Sequence, residues 1–248
     1  MKIAVFVKRV PDTEARIRLA PGGGIDPSGV KYVTNPYDEF AIEAALRLRE
    51  SAGTGSVTAF SLGGEGTGEV IRGALALGAD DGVVLTGKVP ADPLVVATAL
   101  ADEIRAADYD LLLFGMKAID DDLQAVGPMV AELLGLPAVT AVSDFTVEGG
   151  SVSASRSIEG GTEVVRASLP CVLTITKGSY EPRYASLKGI MAAKKKPLEE
   201  REARLGEARV HVLEMTHPAE RKPGRVVGEG PEAVEELVRL LREEARVL

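Results

Sequence analysis

Short, nearly continuous apolar runs alternate along the first 140 or so residues with longer stretches of helical spacing. Residues 3–7, 57–62, 82–86, 110–114 and 139–142 have the length and composition of strands buried on both faces. Between them, 37–50, 67–77, 93–107 and 128–134 read as helices. Phe40, Ala44 and Leu48 recur every four residues with charges between them, and Ile71, Leu75 and Gly78 follow at helical steps of four and three. Strands alternating with helices predict an α/β fold, a parallel doubly wound sheet with right-handed crossovers.

After Ser143 the pattern changes. Period-two alternation over 151–158, the turn sequence EGGT and a second alternating run over 163–169 predict a β-hairpin excursion. Residues 171–176 follow as another sheet strand, with Cys171 as a small buried residue. From Lys177 the strand–helix rhythm is lost. Residues 197–230 are polar and punctuated by Pro and Gly, and 231–247 form an amphipathic helix with Val234, Leu237, Val238 and Leu241 on one side. So long an irregular stretch before a lone helix is hard to place inside a compact domain. The expected division is an α/β domain over 1–196 and a C-terminal arm over 197–248. The final helix either packs on another molecule or folds back on its own domain.

The stretch 110–127, DLLLFGMKAIDDDLQAVG, is the richest in candidate chemistry. It begins as a buried strand, breaks at Gly115 and meets Gly127-Pro128, where proline suits a first helical position. A strand, a loop and a helix N-terminus can seat a phosphate, because free N–H groups and the positive dipole end face the anion. Many α/β domains carry such a loop empty. Gln124 can donate through its amide, and the N–H groups of Ala125, Val126 and Gly127 lie close by. Asp120, Asp121 and Asp122 cannot all point one way and have no histidine near them in sequence, which argues against a metal site.

Asn35 precedes Pro36 as a helix cap, and capping alone would account for it. Yet loops leaving the carboxyl ends of strands share one crevice in a sheet of this kind. The only Asn, Asn35, and the only Gln, Gln124, fall in two such loops. The turn at Ser61, Leu62, Gly63 and Gly64 suits the same edge, or is a tight βα connection. The glycines of 21–29 neither follow a strand nor open a helix, so they form a mobile or hairpin loop rather than a dinucleotide fingerprint.

Composition narrows the function classes. Lys and Arg total 29 against 37 Asp and Glu, a formal charge of −8, which argues against a general nucleic-acid binder. One cysteine excludes an internal disulfide and a cysteine metal cluster, and points to a reducing compartment. Two histidines, His211 and His217, leave little material for a His-based triad, and no set of catalytic residues emerges. The N-terminus runs directly into a strand without an export signal, and no apolar run approaches membrane-spanning length, so a soluble cytoplasmic protein is expected. Scarcity of amides fits a thermophile or a GC-rich genome. Lys194, Lys195 and Lys196, extended by Arg183, Lys188, Arg201 and Arg204, adjoin the apolar residues Leu187, Ile190 and Met191. Such a patch is either a solvated surface or a dock for an acidic partner.

The segments VKRVPD, NPYDEFAIEAALRL, GAD at 78–80, GMKAIDDDLQAVG, SIEGGTEVVRASLPCVLT and EPRYASLKGIMAAKKK together resemble the electron transfer flavoprotein β subunit, in order from residue 1 to about 200. The resemblance implies an adenine-nucleotide α-hydrolase-like fold and a chain without catalytic residues of its own. It implies an α-subunit partner, one FAD held mainly by α, and a structural AMP in β. Single electrons would pass from flavin dehydrogenases, such as the acyl-CoA dehydrogenases of fatty acid oxidation, to a membrane quinone oxidoreductase, with no membrane insertion of this chain. Carried over, the AMP pocket comprises Phe6, Asn35, Pro36, Tyr37, Asp38, Leu62, Gly115, Met116, Lys117, Ala118, Ile119, Asp120, Asp121, Asp122, Leu123, Gln124, Ala125 and Val126. Val126 stands where relatives often have threonine, which removes a hydroxyl from the phosphate site. Tyr37 and the loop around Asp12 and Thr13 lie where β approaches the flavin, although an aromatic often found near Thr13 is absent. Leu187 takes the position of the docking leucine in a recognition loop over 183–192, with Ile190 and Met191 beside it. Two other readings remain: a bifurcating relative with a second FAD in place of AMP, and a stand-alone stress-type nucleotide-binding domain.

Overall fold

A computed structural model describes residues 1–21, 24–220 and 223–248. Gly22 and Gly23, within the glycine loop at 21–29, lie outside the described residues, while Leu19 and Ile25 on either side of them form an antiparallel bridge.

The chain opens with β1 (Lys2–Phe6), a small antiparallel ribbon of β2 (Arg9–Pro11) and β3 (Tyr32–Thr34), and helix α1 (Pro36–Ala52). Then come β4 (Ser56–Gly63), α2 (Thr67–Leu77), β5 (Asp81–Thr86), α3 (Pro93–Ile104), β6 (Leu111–Gly115) and α4 (Val126–Leu134). The second half holds β7 (Ala138–Glu148), β8 (Ser151–Ile158), β9 (Gly161–Ser168), β10 (Cys171–Ile175), α5 (Leu187–Ala193) and β11 (Leu198–Glu202).

Nine strands form one sheet in the order β11-β5-β4-β1-β6-β10-β7-β8-β9. Pairing is parallel from β11 to β7 and antiparallel from β7 to β9. The chain winds outward from β1 to β4 and β5, then returns to place β6 on the other side of β1. The order therefore reverses between β1 and β6, where doubly wound sheets open a ligand crevice.

Strand alternation divides the core into two layers. Ile3, Val5, Leu111, Leu113 and Leu173 face Ile42, Leu46, Ile71 and Leu75 of α1 and α2. Ala4, Phe6, Leu112, Phe114 and Val172 face Leu100, Ile104 and Val130 of α3 and α4. Both faces are covered, which is why these strands read as unbroken apolar runs.

The parallel sheet, the hairpin and the helices match the expected α/β architecture, with instructive differences. Helix α4 starts at Val126, so Pro128 is its third residue and not its first. The first helical N–H groups have no intrahelical acceptor, and proline is therefore tolerated through that turn. Strand β7 runs to Glu148 because it passes from parallel pairing with β10 to antiparallel pairing with β8, with Ala141 at φ 56 and a register shift at the changeover. The hairpin turns through Glu159 and Gly160, the latter at φ 78. Residues 198–202, within the polar stretch 197–230 that was expected to begin the arm, add β11 to the sheet edge beside β5. LEERE does not read as a strand because Leu198 alone of its five residues is even partly buried, and charge is what an edge strand needs against further pairing.

Contacts divide the chain into two compact units, Met1–Leu213 and Glu214–Leu248. Among its described residues the second holds a 3-10 turn (Pro231–Ala233) and α6 (Val234–Glu243); Arg221 and Lys222, within the stretch expected to be polar and irregular, lie outside the described residues. No residue of α6 is buried; Arg239 pairs with Glu236 and Glu243 along one face, while Val234 and Leu237 stand exposed. Among the described residues no helix is long and apolar enough to cross a membrane.

Candidate functional site

At the carboxyl ends of β1 and β6, Phe6 and Phe114 are register partners whose rings stack 4.1 Å apart, with Phe60 of β4 5.4 Å beyond Phe6. Above this apolar floor opens a cavity of about 590 Å³, walled by the loops that follow β1, β4, β5 and β6. Val212 adds to the lining where the chain passes it, held there by Asp92, whose Oδ2 accepts the amides of Arg209 and Val210. Asp92 also caps α3 by accepting from the Leu94 amide.

Two buried residues at the start of α1 tie the walls together. Asp38 accepts the Lys8 amide at 2.7 Å and the Gly115 amide at 3.1 Å, one on each carboxylate oxygen. It thereby joins the ends of β1 and β6 to the helix. Burial pushes its carboxyl up to about 7, against the pull of those donors. Asn35 sits at the N-cap position with Pro36 at the first helical position, but its side chain makes no capping bond. Its Nδ2 donates to the Lys117 carbonyl at 2.8 Å and its Oδ1 accepts the Ile119 amide at 3.1 Å. The capping expected of Asn35 is thus replaced by a brace across the crevice. An amide suits that brace, because one planar group supplies both a donor and an acceptor to a backbone that offers both.

The loop between β6 and α4 is held from the other side by lysines. Lys8 Nζ lies 2.8 Å from Asp120 Oδ1 and 2.8 Å from Asp121 Oδ2, and Lys117 Nζ lies 2.6 Å from Asp122. Burial alone would lower the Lys8 ammonium, but the two carboxylates outweigh it and hold it above the usual lysine value. The acids are spent on these pairs. Among the described residues no group of three or more His, Cys, Asp or Glu side chains is placed to hold a metal ion. Asp122 and Gln124 adopt left-handed φ values of 56 and 52, a conformation non-glycine residues keep only where the surroundings impose it. The loop ends at α4, whose N-cap is Ala125 with no side-chain cap. Gly127 packs so tightly on the floor that a Cβ would lie 2.8 Å from Thr174 and 3.3 Å from Phe114. The result is a helix start without a side-chain cap, directed by close packing beside an apolar floor, where free N–H groups and the positive dipole end favour negative charge.

Of the residues assigned to a pocket by resemblance, Phe6, Asn35, Asp38, Leu62, residues 115–118, Asp120, Asp121 and residues 123–126 line the cavity. Pro36, Tyr37, Ile119 and Asp122 do not. Tyr37 instead lies edge-on to Phe40, with the Lys117 ammonium 5.6 Å from its ring centre. Ile119 contributes its amide to Asn35, and Asp122 turns to Lys117. Ser61, Gly63 and Gly64 of the turn expected at this edge line it too, and Lys8, Arg9, Thr67 and residues 89–91 line the cavity without having been singled out for it. The rule that carboxyl-end loops converge would have found them, since each sits at or just beyond the end of β1, β4 or β5. Arg9 Nε and Ser61 Oγ are buried without a hydrogen-bond partner among the described residues, and both belong to residues of this lining. The Arg9 guanidinium lies 3.9 Å over the Tyr32 ring and against Gly66.

The second candidate region is the apolar and basic segment around α5. Leu187 is 83% exposed, and Ile190 and Met191 are exposed beside it. Ser186 caps the helix by accepting the Gly189 amide at 3.0 Å. Lys196 is not part of a solvated run: its ammonium is 3.0 Å from the Leu75 carbonyl and 2.5 Å from that of Ala79, while Arg72 donates to the carbonyls of Ala193 and Lys196. Lys194 and Lys195 remain at the surface.

The electron transfer flavoprotein domain family matches residues 23–205. The electron transfer flavoprotein subunit beta of Sus scrofa is 41% identical over 258 residues, spanning all of this chain and 99% of its own. Those of Bradyrhizobium diazoefficiens and Bacillus subtilis are 40% and 38% identical over the whole of both chains. The chain belongs to the electron transfer flavoprotein β-subunit family. Full-length kinship carries an electron-transfer role with it.

Proposed function

We propose that this chain is the β subunit of a heterodimeric electron transfer flavoprotein in the cytoplasm, with FAD held mainly by the α subunit and AMP held in the β1–β6 cavity. One observation carries the nucleotide assignment: an uncapped helix start beside an apolar floor, with the neighbouring carboxylates already neutralised by lysines. The residues fit an adenine nucleotide. The Phe6 and Phe114 layer offers apolar surface to a base, and the amides opening α4 face where a phosphate is favoured. The side chains of Gln124 and Ser61 add polar groups to the lining. Val126 carries no hydroxyl, so the backbone takes the place of a threonine there.

FAD, when bound, supplies one-electron redox chemistry. The residues of this chain hold, orient and dock. Asp38 and Asn35 fix the crevice so that the nucleotide braces the fold, and residues 183–192 present Leu187, Ile190 and Met191 to flavin dehydrogenases such as acyl-CoA dehydrogenases. Exposed apolar side chains beside Lys188 and Lys194 suit an apolar pocket with an acidic rim. Electrons then pass to a quinone oxidoreductase. The region after β11, ending in α6, supplies an amphipathic helix for the α subunit to cover.

Purification of the chain with its α subunit, followed by denaturation and chromatography of the released nucleotides, tests this reading. One AMP and one FAD per heterodimer are expected. Two FAD and no AMP would indicate the bifurcating type, and a monomer carrying ATP would overturn the assignment.

A further inference from the structure

Glu43, Arg47 and Glu50 share one face of α1, at helical spacing i, i+4 and i+7. All three reach the segment that precedes α5. Arg183 Nε lies 2.7 Å from Glu43 Oε2, and its two terminal nitrogens reach Glu50 at 2.6 and 3.0 Å. The Arg183 amide donates to the same Glu43 carboxylate at 3.3 Å. Arg47 bonds Glu43 at 2.6 Å and donates to the carbonyls of Ser179 and Glu181 at 3.1 and 3.3 Å. Glu43 is buried, so its charge requires these partners.

The segment is pinned on both sides of this clamp. Tyr180 is buried and its hydroxyl accepts the Phe145 amide at 3.1 Å. Beyond it, Gly189 packs on α2 so closely that a Cβ would lie 2.4 Å from the Ala76 carbonyl oxygen. Between the pins stand Tyr184, 98% exposed, and Leu187. A chain with its apolar side chains in water, fixed by a bidentate arginine on the residue before them, has already given up the freedom that docking would otherwise remove.

We infer that Arg183, locked to Glu43 and Glu50, is a positioning residue that pre-forms the dehydrogenase-docking surface of residues 184–191. The inference rests on the docking role proposed above. Arg183 does not line the β1–β6 cavity, and its contacts are with α1, so its effect belongs to encounter with the partner.

The test uses the purified heterodimer as the varied electron acceptor of an acyl-CoA dehydrogenase reduced by its acyl-CoA. Arg183→Lys, which keeps the charge and loses the fork, and Arg183→Ala should raise KM for the flavoprotein about five- to tenfold with kcat unchanged. Glu50→Gln, at a half-exposed position that spares the buried carboxylate, should raise KM about two- to threefold and serves where an Arg183 variant fails to fold. In a Leu187→Ala background the Arg183→Lys effect should vanish, a coupling that general loosening of the fold would not produce. Unchanged KM in Arg183→Lys and Glu50→Gln, with KM raised by Leu187→Ala, would overturn the clamp and leave the docking role standing. No effect of Leu187→Ala would overturn both, and a fall in kcat at constant KM would overturn the positioning role.

Discussion

Asp38 and Gly115 meet so closely that a Cβ on Gly115 would lie 2.2 Å from Asp38 Oδ1 and 2.7 Å from the Tyr37 carbonyl carbon. The missing side chain lets the Gly115 amide reach the carboxylate at the point where the sheet order reverses. Gly115→Ala should therefore force the β6 end away from α1, destabilising the protein by about 1–3 kcal/mol, as overpacking does. Denaturant unfolding of the wild-type and variant complexes measures it. A variant of unchanged midpoint would show that the junction relaxes freely.

Asp38 also gives the protein a pH dependence of definite sign. Its folded pKa of about 7 stands above the ordinary carboxylate value of 3.8, so the folded state holds the proton that the unfolded chain releases. The stability contributed by the protonated group is complete below pH 3.8 and is lost as pH rises towards and through 7. Asp38→Asn removes this titration and places an NH₂ against a backbone N–H, costing about 1–3 kcal/mol. The stability gap between wild type and Asp38→Asn should be widest near pH 4 and narrow towards pH 7. Unfolding curves at several pH values decide it, and a gap that widens with pH contradicts the burial argument.

What the sequence disclosed depended on whether a signal was local or relational. The α/β order was legible because β1, β4, β5, β6 and β10 are buried on both faces and so print apolar runs. The crevice was legible because topology alone places the loops of Asn35 and Gln124 together. The brace made by Asn35 was not, since its partners are the carbonyl of Lys117 and the amide of Ile119, and backbone groups leave no mark in sequence. Lys8 and Lys196 were hidden for a related reason. Each reads as a surface cation, and only the fold brings Asp120 and Asp121 to the first and the carbonyls of Leu75 and Ala79 to the second. Strand β11 was lost in its own charges.

Lys8 neutralises two carboxylates of the cavity lining. Its removal would leave them facing the phosphate of a bound nucleotide. Lys8→Met should weaken AMP binding to the heterodimer about tenfold, a change of ~1.4 kcal/mol in a half-exposed pair. Adding Asp120→Asn and Asp121→Asn should restore most of the loss. Equilibrium dialysis of stripped complexes with labelled AMP provides the readout. Equal affinity in wild type and Lys8→Met would mean that the acids and the phosphate do not sense one another.

Helix α6 carries Val234 and Leu237 exposed beside the half-buried Val238 and Leu241, while Arg239 satisfies Glu236 and Glu243 on the other side. The ion pairs stabilise the helix without using its apolar stripe, which leaves the stripe available to a partner. Leu237→Asp should abolish or strongly weaken copurification with the α subunit, since a charge set in an apolar interface costs about 2 kcal/mol or more. Leu237→Met should leave it intact. Helical content should be the same in both, because a surface position of this helix tolerates either residue. Size-exclusion chromatography of the coexpressed subunits, with flavin absorbance followed across the peaks, reads the outcome. A wild-type elution profile for Leu237→Asp would place the subunit contact elsewhere on the chain.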